Sequence, residues 1–175
     1  MGYAKISTLV INPVTEPTSS RINSMDYTIS VTDNDDQEAR KAILTPLAAY
    51  NESKVGPGGY KPLAVLLKDG DHNVIGGIWG GTGYGWLFVQ LLVVPEARRG
   101  QGIGWELMQT TEREALARGC HGAWLDTFEF QARGFYERLG YECFGEIPNY
   151  PVGFSRFFMR KSLGSSTTSA NPVRP

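Results

Sequence analysis

The sequence predicts an α/β fold of the mixed α+β type, in which helices flank one mixed sheet. Apolar residues recur at strand spacing in some segments and at helix spacing in others, and the two kinds of segment are interspersed. Turns rich in glycine, proline or aspartate separate these segments. At 175 residues, the chain has the usual length of a single domain, about 100–200 residues.

The first half of the chain is predicted to contain four strands and one helix. Residues 27–32 alternate apolar and polar side chains, which is the period of a half-buried strand. Residues 36–51 begin with an acidic stretch and continue with apolar residues at helical spacing, and Pro46 is expected to end or kink this helix. Three strands follow at 63–68, 74–80 and 86–94. The last of these is nearly all apolar, as expected of a central strand covered on both faces.

The second half is predicted to contain two helices and three strands. A helix over 102–118 has an apolar stripe, and Gly119 is a natural stop for it. A short buried strand at 123–127 and a short helix at 131–139 come next. Two strands, 141–146 and 154–160, close the domain as a hairpin.

The predicted domain covers residues 26–161. Residues 1–25 form an N-terminal extension, and residues 162–175 form a low-complexity tail that we expect to be disordered. The extension contains a short apolar cluster of Ile6, Leu9, Val10 and Ile11. Such a cluster is able to add an edge strand or to pack on a second subunit, so a homodimer is one expectation to test.

Composition argues against several classes of function. The net charge is −1 and the basic residues are scattered, whereas a nucleic-acid-binding domain concentrates them on one face. No apolar run reaches the roughly 18 residues needed to span a bilayer, and the first residues lack a secretory pattern. Cys120 and Cys143 show no metal-ligand spacing and are expected to be reduced thiols. We therefore expect a cytoplasmic protein with no metal, no membrane partner and no nucleic-acid partner.

The most informative segment is LLVVPEARRGQGIGWEL, residues 91–107. A buried strand stops at Pro95, a basic glycine-rich turn follows, and an amphipathic helix begins. Amides at a helix N-terminus bind phosphate, and glycines let the backbone approach an anion. Arg98 and Arg99 add charge-assisted hydrogen bonds. The turn is therefore predicted to bind a phosphate group, the alternative being a left-handed turn that only joins strand to helix.

Trp105 argues against two other phosphate-binding turns. A P-loop needs Gly-Lys-Ser/Thr to hold a nucleotide and its magnesium ion, but Gly104 is followed here by tryptophan. A dinucleotide-binding G-x-G-x-x-G motif that starts at Gly100 needs its third glycine at position 105, which the same tryptophan occupies.

The turn and one later helix together resemble a known family. Residues 99–104 match R-G-x-G-x-G, which is similar to the acetyl-CoA-binding motif of the GNAT superfamily of N-acetyltransferases. A second block, similar to the family's A-x-x-F-Y-x-x-x-G-F/Y, consists of Ala132, Phe135, Tyr136, Gly140 and Tyr141. The two blocks have the family's order and spacing, and the resemblance covers about residues 27–161. It implies an acyl-CoA-binding fold with a mixed, largely antiparallel sheet, and acetyl-CoA as cosubstrate.

The resemblance also implies how the cosubstrate is held. A strand splays from its neighbour, and the pantetheine arm enters the gap beside the backbone of Leu92, Val93 and Val94. The pyrophosphate contacts are expected from Arg99, Gly100, Gln101, Gly102, Ile103 and Gly104. Many family members carry an asparagine where this chain has Glu129. Either Gln131 supplies that amide, or the contact is absent.

The resemblance implies direct attack of an amine on the thioester, which requires a proton donor for the thiolate and a route for the amine proton. Tyr136 is the candidate acid, because the family places this hydroxyl beside the thioester sulfur. Asp126 is a candidate base, and a role in capping or turn pairing beside Thr127 is the alternative. Glu146, Tyr150 and a water relay are further candidates for the base.

The leading functional hypothesis is acetylation of a small-molecule primary amine. A second hypothesis is acetylation of a peptide or protein N-terminus or lysine. A third hypothesis, from another class, is a non-catalytic acyl-CoA-binding sensor domain. Tyr136 favours the enzyme over the sensor, because a sensor needs no proton donor at the sulfur.

Overall fold

The computed structural model describes residues 27–164. The chain divides after residue 57 into two compact units. The predictions for residues 1–25 lie outside the described residues, and so does the part of the predicted tail from 165 to 175. Between residues 27 and 164, no helix is long and apolar enough to cross a membrane.

In the first unit, the described residues 27–57 form one helix, α1, over Gln37–Val55. It begins at Asp36, whose side chain accepts hydrogen bonds from the amides of Glu38 and Ala39 at 3.0 Å each. A carboxylate at this position satisfies amides that have no partner within the helix, which explains why the helix begins here. The predicted start is therefore confirmed.

Pro46 does not end α1, and the helix reaches four residues beyond its predicted end at 51. Proline removes one amide donor from a helix, but the hydrogen bonds on either side of it remain. The neighbouring Thr45 hydroxyl donates to the carbonyl of Lys41 at 2.8 Å. Of the two outcomes predicted for Pro46, that it ends the helix is therefore wrong, while a kink at this residue stays a prediction.

The predicted strand at 27–32 is not formed. Ile29 and Val31 are 86% and 99% exposed, and no strand within residues 27–164 pairs with this segment. Alternation only sorts side chains onto two faces, whereas a strand also needs a neighbour for its backbone N–H and C=O groups. The prediction was wrong because it rested on the alternation of side chains alone and did not consider a partner strand.

The second unit is built on a six-stranded sheet in the order β1-β2-β3-β4-β6-β5. The strands are β1 Lys61–Lys68, β2 Val74–Gly83, β3 Trp86–Val93, β4 Gly122–Phe128, β5 Glu142–Ile147 and β6 Arg156–Ser162. Every neighbouring pair is antiparallel except β3 and β4, which are parallel. The sheet is thus mixed and largely antiparallel, as predicted.

Two helices belong to this unit, α2 over Ile103–Ala117 and α3 over Arg133–Arg138. The buried face of α2 includes Leu107, Met108 and Ala115, and the helix contacts β1, β2 and β3. This is the apolar stripe seen in the sequence, and its burial against the strands provides the core.

The folded unit extends two residues past the predicted boundary at 161. Ser162 belongs to β6, and Leu163 is buried with the core. The amide of Leu163 donates to the carbonyl of His121 at 2.8 Å, which holds the end of the chain beside the start of β4. The sequence after residue 161 is mostly polar, so it did not indicate that Leu163 packs in the core.

β3 and β4 pair over only part of their length. Their register runs from Trp86 opposite Gly122 to Val89 opposite Leu125 and stops there, although both strands continue. On its other side, β3 has an irregular register against β2 that leaves Gln90 as an extra residue. A bulge of this kind bends the strand that carries it. The two strands therefore separate at Gln90.

The C-terminal half of β3 is not covered on both faces, contrary to the prediction for a central strand. Leu91 and Val93 are 59% and 57% exposed, while Leu92 and Val94 pack against the core. An apolar run shows that a strand avoids charge, but it does not reveal which of its faces another element covers.

Candidate active site

A cavity of about 850 Å³ opens where β3 and β4 separate. It is lined by the C-terminal half of β3, the glycine-rich turn, the start of α2, the end of β4 and the segment from 130 to 138. The predicted site residues that line it are Leu92, Val93, Val94, Arg99, Gly100, Gly102, Ile103, Gly104, Asp126, Gln131 and Tyr136. The fold thus brings together residues that are more than forty positions apart in the sequence.

The turn between β3 and α2 is braced by its own side chains. A short 3-10 turn covers Glu96–Arg98. The Arg99 Nε donates to the carbonyl of Val94 at 3.2 Å, and the Gln101 Nε2 donates to the carbonyl of Ala97 at 3.2 Å. Gln101 is the one predicted cofactor-binding residue that does not line the cavity. Its side chain supports the shape of the turn, and the contact predicted for its backbone amide stays a prediction.

Two glycines give this turn its shape. Gly100 and Gly102 have φ angles of 76° and 83°, a left-handed conformation that side chains with a Cβ rarely adopt. Gly102 also precedes the first residue of α2. The amides at that end of the helix have no carbonyl one turn earlier to accept from them, so they are available to an anion.

Gly104 has a different reason to be glycine. A Cβ at this position would lie 3.3 Å from the ring of Phe135, which is tight for a carbon–carbon contact. The missing side chain therefore lets the start of α2 lie close to α3. This contact joins the two sequence blocks that carry the family resemblance.

The β4-facing edge of β3 is open beyond Val89. Since pairing with β4 stops at that residue, the backbone from 91 to 93 pairs with β2 alone. Backbone N–H and C=O groups require partners, and those at this edge are placed to bind a ligand in the cavity. The gap that the resemblance implied is present.

Tyr136 lies in the cavity wall and is 7% exposed. Its ring makes edge contacts with Phe135 and Tyr141, at centroid distances of 5.1 and 6.0 Å. Burial, together with the negative charge of Asp126, raises the pKa of Tyr136 to about 12. The phenol therefore keeps its proton at neutral pH and is able to donate it.

Asp126 lines the same cavity and forms an ion pair with Arg156. The Arg156 Nε donates to Asp126 Oδ2 at 2.7 Å, and the Nη2 of the same side chain contacts that oxygen as well. Both side chains are largely buried, with 15% of Arg156 and 14% of Asp126 exposed. The pair fixes one carboxylate oxygen, a feature that sequence reasoning missed because thirty positions separate its members.

Gln131 lines the cavity, and its Oε1 accepts from the amide of Phe128 at 2.9 Å and from the hydroxyl of Thr127 at 3.3 Å. This leaves the Nε2 of Gln131 for a ligand. Glu129 stands where the family often has asparagine, and its Oε2 accepts from the amide of Ser155 at 2.9 Å. Glu129 is therefore part of the link between the end of β4 and the start of β6.

Of the other two candidates for the base, Glu146 lies in β5 and Tyr150 lies in the loop that joins β5 to β6. The Ser155 hydroxyl donates to Glu146 Oε1 at 2.6 Å, and Arg156 Nη1 donates to the Tyr150 hydroxyl at 3.4 Å. Neither Glu146 nor Tyr150 lines the cavity. Asp126 is the only one of the three carboxylate or phenol candidates for the base that does.

Comparisons with known proteins agree with this arrangement. Residues 27–141 match the family model described as the acetyltransferase (GNAT) family. The chain is 44% identical over 126 residues to an acetyltransferase from Agrobacterium fabrum (strain C58), covering 72% of this chain and 92% of that protein. It is 40% identical over 89 residues to blasticidin-S acetyltransferase from Streptomyces morookaense, covering 50% of this chain and 65% of that protein.

Solved structures show the same fold. A candidate acetyltransferase from Agrobacterium tumefaciens superposes with a TM-score of 0.75 at 41% identity, and the match covers 78% of this chain and 100% of that chain. An acetyltransferase from Bacillus cereus ATCC 14579 superposes with a TM-score of 0.68 at 28% identity, covering 77% and 98% of the two chains.

Proposed function

The chain belongs to the acetyltransferase (GNAT) family, and from that premise we propose that it transfers the acetyl group of acetyl-CoA to a primary amine of a small molecule. The observation that supports this most strongly is Tyr136, a protonated phenol in the wall of the cavity between β3 and β4. Acetyl transfer from a thioester requires a proton for the departing thiolate, and a protonated phenol at the cavity wall supports our assignment of that role to Tyr136.

The residues present fit acetyl-CoA, which the family uses. The glycine-rich turn offers amides at the start of α2 for the pyrophosphate, and the open edge of β3 at 91–93 offers backbone groups for the pantetheine amides. The Nε2 of Gln131 adds a donor on the opposite wall. Bound acetyl-CoA supplies the activated acyl group, and no metal is proposed.

The attacking amine must lose its own protons. We assign that step to Asp126, which receives the proton directly or through a water molecule. Among Asp126, Glu146 and Tyr150, it alone lines the cavity. Arg156 holds Asp126 Oδ2, so the position of the carboxylate in the cavity wall is fixed.

Asp126→Asn should lower turnover by about 10²-fold, because the amide keeps the size of the side chain and cannot accept the proton. A base also leaves a signature in the pH dependence, so the acidic limb of the kcat/KM profile should change in the variant. Arg156→Lys serves as the comparison, because it retains a cation but loses the planar two-donor geometry. A loss in Asp126→Asn of less than threefold, with an unaltered pH profile, would assign Asp126 to positioning alone.

One comparison favours a small molecule over a peptide as the acceptor. A relative at 40% identity is named for acetylation of blasticidin S. We therefore expect release of CoA thiol from acetyl-CoA when blasticidin S or another small amine is added. Acetylation of short peptides alone would favour the second hypothesis, a peptide or protein N-acetyltransferase. Binding of acetyl-CoA with no release by any amine would favour a sensor domain.

A further inference from the structure

An exposed group of aromatic rings lies at the end of β4, beside the cavity. We call it the aromatic platform, and it consists of Phe128, Phe130, Tyr150 and Phe154. Phe130 lines the cavity and is 56% exposed, while Tyr150 and Phe154 are 47% and 44% exposed. The platform is thus continuous with the cavity through Phe130 and still open to solvent.

The rings are packed in an ordered way. Phe128 and Phe130 stack with centroids 5.2 Å apart and an interplanar angle of 8°. Phe154 meets Phe130 edge-on at 5.2 Å, and Tyr150 meets Phe128 edge-on at 5.9 Å. Offset stacks and edge contacts are the favourable aromatic geometries, so these rings hold one another in place.

Arg156 ties the platform to the reacting end of the cavity. Its guanidinium carbon lies 5.0 Å from the ring centroid of Phe128 and 5.4 Å from that of Tyr150, while the same group binds Asp126. A cation over an aromatic face is attracted to it, and the ion pair holds that cation in place. Two platform rings are therefore anchored through one arginine to the carboxylate assigned to deprotonate the amine.

Negative charge borders the platform. Glu129 and Glu146 both bind Ser155, through its amide and its hydroxyl respectively. Neither carboxylate forms an ion pair within residues 27–164. A protonated amine that approaches this side would meet a favourable field.

From this geometry we propose that the aromatic platform is the acceptor subsite, and that the acceptor is an amine carried on a planar ring. The proposal rests on the proposed function and names its substrate class. Because Phe130 and Phe154 meet edge-on, a flat ring is able to stack on one of them and contact the edge of the other. A hydroxylated, non-planar scaffold gains less contact with these rings. The amine then extends toward Asp126 and the cavity.

The test compares two primary amines with the same ethyl linker, 2-phenylethylamine, whose ring is planar and aromatic, and 2-cyclohexylethylamine, whose ring is saturated and puckered. The wild-type protein should acetylate the phenyl compound with a kcat/KM about tenfold higher, through a lower KM. Phe130→Leu keeps an apolar side chain and removes the ring, so this preference should shrink to within about twofold. The acetyl-CoA-dependent rise in Tm should persist in the variant, because acetyl-CoA binding is assigned to other residues.

Phe144→Leu is the matched control. Phe144 is a similarly exposed ring on β5 that lies outside the platform and does not line the cavity. Its replacement should leave the preference for the phenyl amine unchanged. Equal kcat/KM values for the two amines in the wild-type protein, or the same loss of preference in both variants, would overturn the proposal.

Calorimetric titration of each amine into the complex with CoA separates this proposal from the proposed function. Tighter binding of the phenyl amine, weakened by Phe130→Leu, supports the subsite even when no CoA thiol is released. That result would contradict acetyl transfer to these amines and would still support the platform as the site that binds them. Absence of binding and of turnover for both amines overturns the platform, whatever happens with other acceptors.

Discussion

Replacing Tyr136 by phenylalanine should lower turnover by about 10²–10⁴-fold, the usual contribution of a positioned general acid. The ring and its contacts with Phe135 and Tyr141 remain, and only the hydroxyl and its proton are lost. Because the pKa of Tyr136 is raised to about 12, the wild-type phenol stays protonated through pH 10. The loss in the variant should therefore be similar at pH 7 and pH 9.

The measurement is single-turnover release of CoA thiol, with acetyl-CoA affinity determined separately. Tyr141→Phe is the matched control, since it removes a buried hydroxyl from a tyrosine that does not line the cavity. That variant should retain turnover within a few-fold of wild type. Equal turnover in Tyr136→Phe and wild type, under conditions where chemistry limits the rate, would assign Tyr136 to packing.

Replacing Gly102 by valine should abolish the stabilisation of the protein by acetyl-CoA. A ligand that binds only the folded state raises Tm by mass action, by an amount that grows with its concentration over Kd. Gly102 has a φ of 83° immediately before α2, and a β-branched residue does not tolerate that conformation. The backbone must change there, and the amides assigned to the pyrophosphate move with it.

Gly119→Val provides the comparison for that variant. Gly119 also has a φ of 83° with no heavy atom within 4 Å of a built Cβ, as at Gly102, but it follows the other end of α2. Both valines should therefore cost similar stability in the absence of ligand. Thermal unfolding with and without acetyl-CoA should show the ligand-dependent shift only in Gly119→Val. A retained shift in Gly102→Val would contradict the role of the turn.

Most of the local structure of the second unit was predicted from the sequence. The apolar stripe in α2 is a periodic pattern, and it is read from residues that are close together in the sequence. The prediction at 27–32 failed for a related reason, since a strand depends on a partner that its own residues do not specify. Pro46 shows a similar limit, because the hydrogen bonds around a proline decide whether a helix continues.

The candidate site divides in the same way. The glycine-rich turn and Tyr136 were predicted because residues close in sequence carry them, in two compact motifs. Arg156 and the aromatic platform were not predicted. Asp126 and Arg156 lie thirty positions apart in the sequence. They meet because β6 lies between β4 and β5 in the sheet and pairs with β4.

The sequence by itself therefore determined the family resemblance, the order of elements in the second unit and the glycine-rich turn between β3 and α2. The tertiary structure decided where β3 and β4 separate, which of the candidate bases lines the cavity and which aromatic rings lie beside it. The physical reason is that backbone conformation and amphipathic spacing are local properties. Strand order, ion pairing and cavity shape depend on contacts between distant residues, which exist only in the folded chain.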